Sequence, residues 1–333
     1  MNKLLICFVW VILFIPPFLH AQNGEKVFRF LNLPTSTHVN ALGGNNVSLV
    51  DNDISLVFHN PAVLGEEMDM NLNINYMSYV ADIGMGSAIF GKSLSPVSSY
   101  AVGMSYLDYG SFKRTSAENI ESGSFSSKDI VLSGVYSRDL TPYLRGGVTA
   151  KFIYSSYDEY TSTAIGFDLG LSYYNRDKSF SAGMVFKNLG AQLSAYDEKR
   201  VGLPWDLQLG LTKRIENSPL RFSVTGVYLT QWNFEKINDA NGMEPADDSF
   251  TKTLFKHTVL GADILLSKTM WIGVGFSPKT NSDLKLLEGN KWGGFNIGSG
   301  IEIKKFKVGF SFAQYHPSVT SFHFSLSSDL SEF

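Results

Sequence analysis

From residue 71 almost to its end, the chain alternates between bulky apolar side chains and small or polar ones. Period two is the repeat of an extended strand, whose successive side chains point to opposite faces. Fourteen runs carry it: 71–79, 85–93, 99–108, 128–137, 143–155, 161–174, 179–187, 205–213, 220–230, 254–265, 269–277, 292–303, 306–315 and 319–327. A weaker piece at 111–116 is assigned to a loop. Most runs have the 9–11 residues, roughly, that a tilted strand needs to cross a membrane.

The two faces differ in kind. In 161–174, Ile165, Phe167, Leu169, Leu171 and Tyr173 oppose Ala164, Gly166, Asp168, Gly170 and Ser172. In 205–213, Trp205, Leu207, Leu209 and Leu211 oppose Asp206, Gln208, Gly210 and Thr212. Phe306, Val308, Phe310 and Phe312 oppose Lys307, Gly309, Ser311 and Ala313 in 306–315. A bulky apolar face backed by a small or charged one is the lipid-out, lumen-in pattern of an outer-membrane barrel. The outer face of a soluble sandwich would carry more Lys and Glu.

Gap lengths agree. If the first strand runs outward, the inner connections are 94–98, 138–142, 175–178, 214–219, 266–268 and 304–305, all short. The four longest gaps, 109–127, 188–204, 231–253 and 278–291, all fall at the other end. Short periplasmic turns and long outer loops are the habit of transmembrane barrels, and an even strand count returns the C-terminus to the periplasm. The expected fold is therefore all-β: an antiparallel transmembrane β-barrel of fourteen strands.

Residues 1–21 read as a cleaved signal peptide: Lys3 ahead of an apolar core over 4–15, Pro16-Pro17, then Ala21 at the cut. That core is too short to span a bilayer as a helix. The single cysteine, Cys7, lies inside the leader, so the exported chain has neither disulfides nor thiol chemistry. The formal net charge of −3 predicts no nucleic-acid partner. The expected location is the outer membrane.

Between leader and strands lies the densest turn chemistry of the chain, over 27–65. Gly43-Gly44 allows positive φ, Asn45-Asn46 tolerates the left-handed region, and Asp51-Asn52-Asp53 can bond its own backbone. Asn60-Pro61 fixes a turn, and the only strand expected here is 54–58. A fourteen-stranded lumen is wider than side chains alone fill, so residues 22–68 are expected to plug a barrel formed by 69–333. The inward charges Arg145, Lys151, Asp168, Lys187, Asp206, Asp263, Glu302 and Lys307 are candidates to hold that plug, or are solvated lumen charges.

Phe30-Leu31-Asn32-Leu33-Pro34, Ala41-Leu42-Gly43-Gly44, Asp51-Asn52-Asp53 and Asn60-Pro61-Ala62-Val63-Leu64 occur here in order. This set resembles the PorV/PorQ group of outer-membrane barrels, which is similar to the FadL long-chain fatty-acid transporters; the short length and the first two motifs look more like the PorQ branch. The plug residues singled out are Gly43, Gly44, Asp51, Asp53, Asn60, Pro61 and Ala62. The resemblance implies a component of the type IX secretion system that anchors a surface attachment complex: a PorZ-like surface protein, the PorU sortase and a PorV-like barrel. The terminal Phe333 fits a barrel-insertion signal only in part, being out of phase with Phe322, Phe324, Leu326 and Leu330.

No enzyme is expected. Ser-x-x-Lys occurs at Ser249–Lys252 and Ser282–Lys285 without the companion motifs of penicillin-recognising enzymes. The six histidines, at 20, 38, 59, 257, 316 and 323, show no metal-site spacing, and His59 reads as a turn or plug contact. Asp51-Asn52-Asp53 lacks the glycine and distal glutamate of a calcium loop. The tandem glycines at 146–147 and 293–294 read as strand glycines. No cofactor or metal is expected.

Two functions remain. One is an anchor whose outer loops dock a surface protein, with Trp232, Phe234 and Met243 in 231–253 as candidate contacts. The alternative is a FadL-like transporter of hydrophobic solutes, which needs an apolar pocket inside. Outer-membrane lipid is expected around either.

Overall fold

A computed structural model describes residues 27–80, 83–115, 121–196, 200–232, 249–288, 292–316 and 319–332. The expected leader, Phe234, Met243 and Phe333 lie outside the described residues.

The alternating runs form fourteen strands, each hydrogen-bonded to its sequence neighbours, and β1 pairs with β14 to close the barrel. They are β1 Asn71–Ser78, β2 Gly84–Ser95, β3 Ser98–Thr115, β4 Glu121–Thr141, β5 Leu144–Tyr157, β6 Tyr160–Asn175 and β7 Phe180–Ser194. There follow β8 Asp206–Arg214, β9 Leu220–Gly226, β10 Thr258–Leu265, β11 Met270–Phe276, β12 Phe295–Ile303, β13 Phe306–His316 and β14 Val319–Asp329. All pairings are antiparallel. Closure leaves no edge unpaired, which a sheet in lipid requires because lipid offers its backbone no partners. No helix among the described residues is long and apolar enough to cross a membrane.

The faces are as read. Phe167, Leu169, Leu209, Leu211, Phe310 and Phe312 are exposed on the outside, while Asp168, Asp206, Gln208, Thr212 and Ser311 are buried inside.

The strand ends differ from expectation in several places. Residues 111–115 belong to β3 and pair with β4, Phe112 opposite Phe125. A register shift between Asp108 and Ser111, with Gly110 at φ +77°, changes the phase of alternation and disguises the extension. β4 and β7 likewise run on through 121–127 and 188–194. β9 stops at Gly226 because the chain turns away through Tyr228 at φ +58°, whose N–H donates to Asp206 Oδ2 at 2.7 Å. The start of the expected tenth strand is a short helix, α2 Phe250–Lys256, and the loop before β12 holds α3 Pro278–Glu288. Gly293-Gly294 sits in the turn before β12, not in a strand.

β3 and β4 have 18 and 21 residues, whereas β9 and β11 have seven each. Since roughly 9–11 residues cross the membrane, one side of the wall rises beyond it as a hairpin. The other side ends low, at the loops that carry α2 and α3.

Residues 27–68 pack against the inward face of the strands. They comprise the 3-10 turn Arg29–Asn32, helix α1 Thr37–Ala41, and 3-10 turns Ile54–Phe58, Pro61–Val63 and Glu66–Met68. Ile54–Phe58, expected as a strand, is a turn because Asp53 caps it: its carboxylate accepts from Ser55 N at 3.0 Å. Two apolar clusters form. Val39, Leu42, Leu49, Ile54, Leu56 and Leu64 pack with Ile89, Ala101 and Val135 of the wall. Phe28 and Phe30 pack with Met77, Met85, Leu107, Val131 and Ile153 toward the outer end.

Candidate functional site

The inner segment meets the wall through motif residues, and local chemistry explains each one. Asn60 accepts from Ala62 N at 2.9 Å and so caps the turn Pro61–Val63, whose first position suits proline. Its amide donates outward to Val47 O at 2.7 Å and to Leu171 O of β6 at 3.4 Å. Pro61 and Ala62 lie flat on Gly147 of β5, and Asn60 lies on Gly170 of β6. A Cβ at either glycine would collide with them. Gly147, expected as a plain strand glycine, is therefore a seat.

Gly43 and Gly44 end α1 at φ +100° and +89°. Their N–H groups return to Asn40 O at 3.2 Å and Val39 O at 3.0 Å, the left-handed helix ending that favours glycine. The backbone at Gly43 then rests on Gly275 of β11.

Asp51 and Asp53 do different work. Asp53 caps the following turn, whereas Asp51 reaches the wall at Arg221 Nη1, 3.2 Å away. Burial raises the Asp51 pKa, but Arg221 and then His38 outweigh it and hold the carboxyl below its ordinary value of 3.8. The same Arg221 donates through Nε to Asp263 Oδ2 at 2.8 Å, and Asp263 Oδ1 lies 3.0 Å from His38 Nε2. The His38 ring stacks on Trp271 of β11 at 3.7 Å and 8°. Four titratable groups thus form one chain from β9 and β10 into the segment.

Further bonds surround the segment. Ser137 Oγ of β4 donates to Leu64 O at 2.6 Å, and Arg145 of β5 donates to Val63 O and pairs with Glu67 Oε1 at 3.1 Å. Ser181 of β7 donates to Ser48 O at 2.6 Å, and Thr212 of β8 bonds Ser48 Oγ at 2.8 Å. Asn296 of β12 donates to Asn40 O at 2.6 Å, and Lys307 of β13 donates to Asn52 O. Among the eight candidate wall charges, Arg145, Asp263 and Lys307 bond the segment directly. Lys151 and Asp168 pair at 2.6 Å and reach it only through Asn188, whose amide lies 3.4 Å from Asn32. Glu302 pairs with Lys307 at 3.9 Å, while Asp206 serves the backbone of Tyr228.

Arg221, His38 and the hydroxyl and amide tethers were missed in the sequence. Arg221 was legible there, alternating inward beside Leu220 and Phe222. Trp232 is half exposed at the outer end, its ring parallel to Phe250 at 6.2 Å and its Nε1 donating to Leu229 O at 3.0 Å. Phe234 and Met243 cannot be placed beside it, lying outside the described residues. No group of three or more His, Cys, Asp or Glu converges as a metal site among the described residues. Two hollows open at the inner mouth, about 550 and 260 Å3, bordered by Asp51, Asn52, Arg145 and Lys307.

The closed wall is similar in fold to solved structures. The toluene transporter TodX of Pseudomonas putida is similar at TM-score 0.51 and 12 % identity, over 89 % of this chain and 96 % of that one. A FadL homologue of Pseudomonas aeruginosa gives 0.50 and 11 %, over 89 % and 98 %. The fold is similar to that of these two barrels. At such identity the likeness concerns fold alone. No protein-family model matches the chain, and no curated protein sequence matches it.

Proposed function

We propose that this barrel is an outer-membrane anchor of the type IX secretion system, plugged by residues 22–68 and holding a PorZ-like surface protein at its outer rim. The PorU sortase and a PorV-like barrel complete the assembly under this reading. The observation that carries it is the seating of the resemblance motifs. Gly43, Asp51 and Asn60-Pro61-Ala62 each meet the wall, and tethers run from β4 to β13. A lumen occupied by a segment bonded to strands from β4 to β13 suits a support better than a conduit. The cavity left between the segment and mid-wall is only about 40 Å3.

A second reading, transport of small hydrophobic solutes, is favoured by the FadL-like fold and by TodX, named as a toluene transporter. Fold likeness supports transport over anchoring, whereas the segment bonded across the lumen supports anchoring over passage. A tagged pull-down from native outer membranes, read by mass spectrometry, separates them. Recovery of a surface protein with a sortase-like component is expected. A barrel that purifies alone with a bound apolar ligand would overturn the anchor reading in favour of transport.

A further inference from the structure

Inside the barrel, the turn Arg29–Asn32 and residues Phe58 and His59 border, with the wall, a cavity of about 40 Å3. Phe30, Phe58 and Met85 form an apolar side. The lining also carries Lys151, Lys187 and His59, with Ser105 and Ser133.

The polar groups there are not all bonded. Lys151 is satisfied by Asp168 at 2.6 Å and by Asn188 Oδ1 at 2.8 Å. Lys187 is only 5 % exposed, yet it has no hydrogen bond or ion pair among the described residues. Its register partner, Asp206, is engaged instead by Tyr228 N at 2.7 Å and Gln208 Nε2 at 3.2 Å. His59, 3 % exposed, has neither ring nitrogen bonded. Asp168 and Asp206 act on Lys187 only through space, and a buried ammonium with no hydrogen-bonded partner is costly, as is an imidazole whose two nitrogens both lack partners.

We propose that this cavity binds a small monovalent anion, a halide or a short carboxylate, between Lys187 and His59. The anion supplies the direct hydrogen-bonded partner Lys187 lacks and accepts from the His59 N–H, while the paired Lys151 adds its field. Size sets the class. A water needs about 10–15 Å3 measured in this way, so the space holds roughly three water-sized groups, enough for a halide or an acetate. It excludes an acyl chain. The site stands whether the barrel anchors or transports.

Crystals of the full mature barrel soaked in sodium bromide, with anomalous diffraction at the bromine edge, test it directly. A bromide peak within hydrogen-bond reach of Lys187 Nζ and His59 is expected. Its displacement by acetate marks a carboxylate site, and its persistence marks a halide site. Water-only density in the cavity, or bromide on surface lysines alone, overturns the proposal. In solution, calorimetric titration with the same anions should show affinity at least tenfold weaker in Lys187→Met and largely kept in Lys187→Arg. Equal affinity in wild type and Lys187→Met would equally overturn it.

Discussion

Arg221→Met is the sharpest test of how the inner segment is held. Arg221 bridges Asp263 at 2.8 Å and Asp51 at 3.2 Å. The Asp263 side chain is 2 % exposed, so methionine strands a buried carboxylate with only His38 beside it. Removing one partner of a buried pair costs about 3–5 kcal/mol. The Asp51 side chain is 39 % exposed, and its share is below about 1 kcal/mol. A loss of about 3 kcal/mol raises the open population of the segment roughly a hundredfold, at about 1.4 kcal/mol per tenfold.

Hydrogen exchange in detergent reads this amide by amide. The N–H groups of Asn40 and Leu42, bonded to Ser36 O and His38 O, should exchange roughly a hundredfold faster. Amides of the β3–β4 ladder should not change. Adding Asp263→Asn removes the stranded charge and should recover much of the loss. Rates at Asn40 within threefold of wild type would refute the reasoning, as would an equal acceleration in β3–β4, which would mean the wall itself had loosened.

Three further outcomes follow. Gly147→Val drives a side chain into the Pro61–Ala62 backbone and should leave a closed, heat-modifiable barrel whose 58–64 region becomes protease-sensitive. Asn60→Ala removes a cap and the amide bonds to Val47 O within the segment and Leu171 O of the wall, and should weaken the same region by about 2–3 kcal/mol in exchange measurements. Acid should loosen the segment through His59. Burial, then Lys187 and Lys151, hold its pKa well below the ordinary 6.5. The withdrawn ring takes a proton below that value and the seated ring does not, so stability present above about pH 6.5 falls by about 2 kcal/mol by pH 5. His59→Gln should abolish that slope. Asp51 has a lowered pKa, so its contribution fails only under still more acid conditions, below 3.8. An unchanged slope in His59→Gln would assign the pH response elsewhere.

The wall was legible because one physical rule, side-chain period two between lipid and lumen, operates on every strand. It failed where that rule is interrupted. The Asp108–Ser111 register shift hid the end of β3, and the Asp206–Tyr228 bond ended β9 early. The inner segment was legible only as turn chemistry. Gly43-Gly44, Asp53 and Asn60-Pro61 announce where the chain bends, but not against what. Its partners are hydroxyls, amides and glycines from strands far away in sequence, and a strand serine facing a lumen looks the same whether it meets water or Ser48. Arg221 is the exception, since its inward phase was readable beside Phe222.

The two halves of the wall divide the work unequally. Tethers to the segment use both, from Ser137 of β4 to Lys307 of β13, so the tall side is not tall in order to hold it. Nor does crossing the membrane require it, since roughly 9–11 residues suffice for that. The extra length of β3 and β4 goes into a hairpin stiffened by the Phe112–Phe125 stack at 5.3 Å and by Tyr157 beside it. On the low side, α2 leaves Phe250 and Phe255 exposed near Trp232 and Trp292. Under the anchor reading, a partner at the rim therefore meets a rigid wall on one side and an aromatic ledge on the other. Aromatic anchors carry a large share of binding energy, so the ledge is where a docking contact concentrates. Trp232→Ala with Phe250→Ala should then release the surface partner from a pull-down while leaving exchange in the inner segment untouched. Retention of the partner by that double variant would move the docking site to the hairpin.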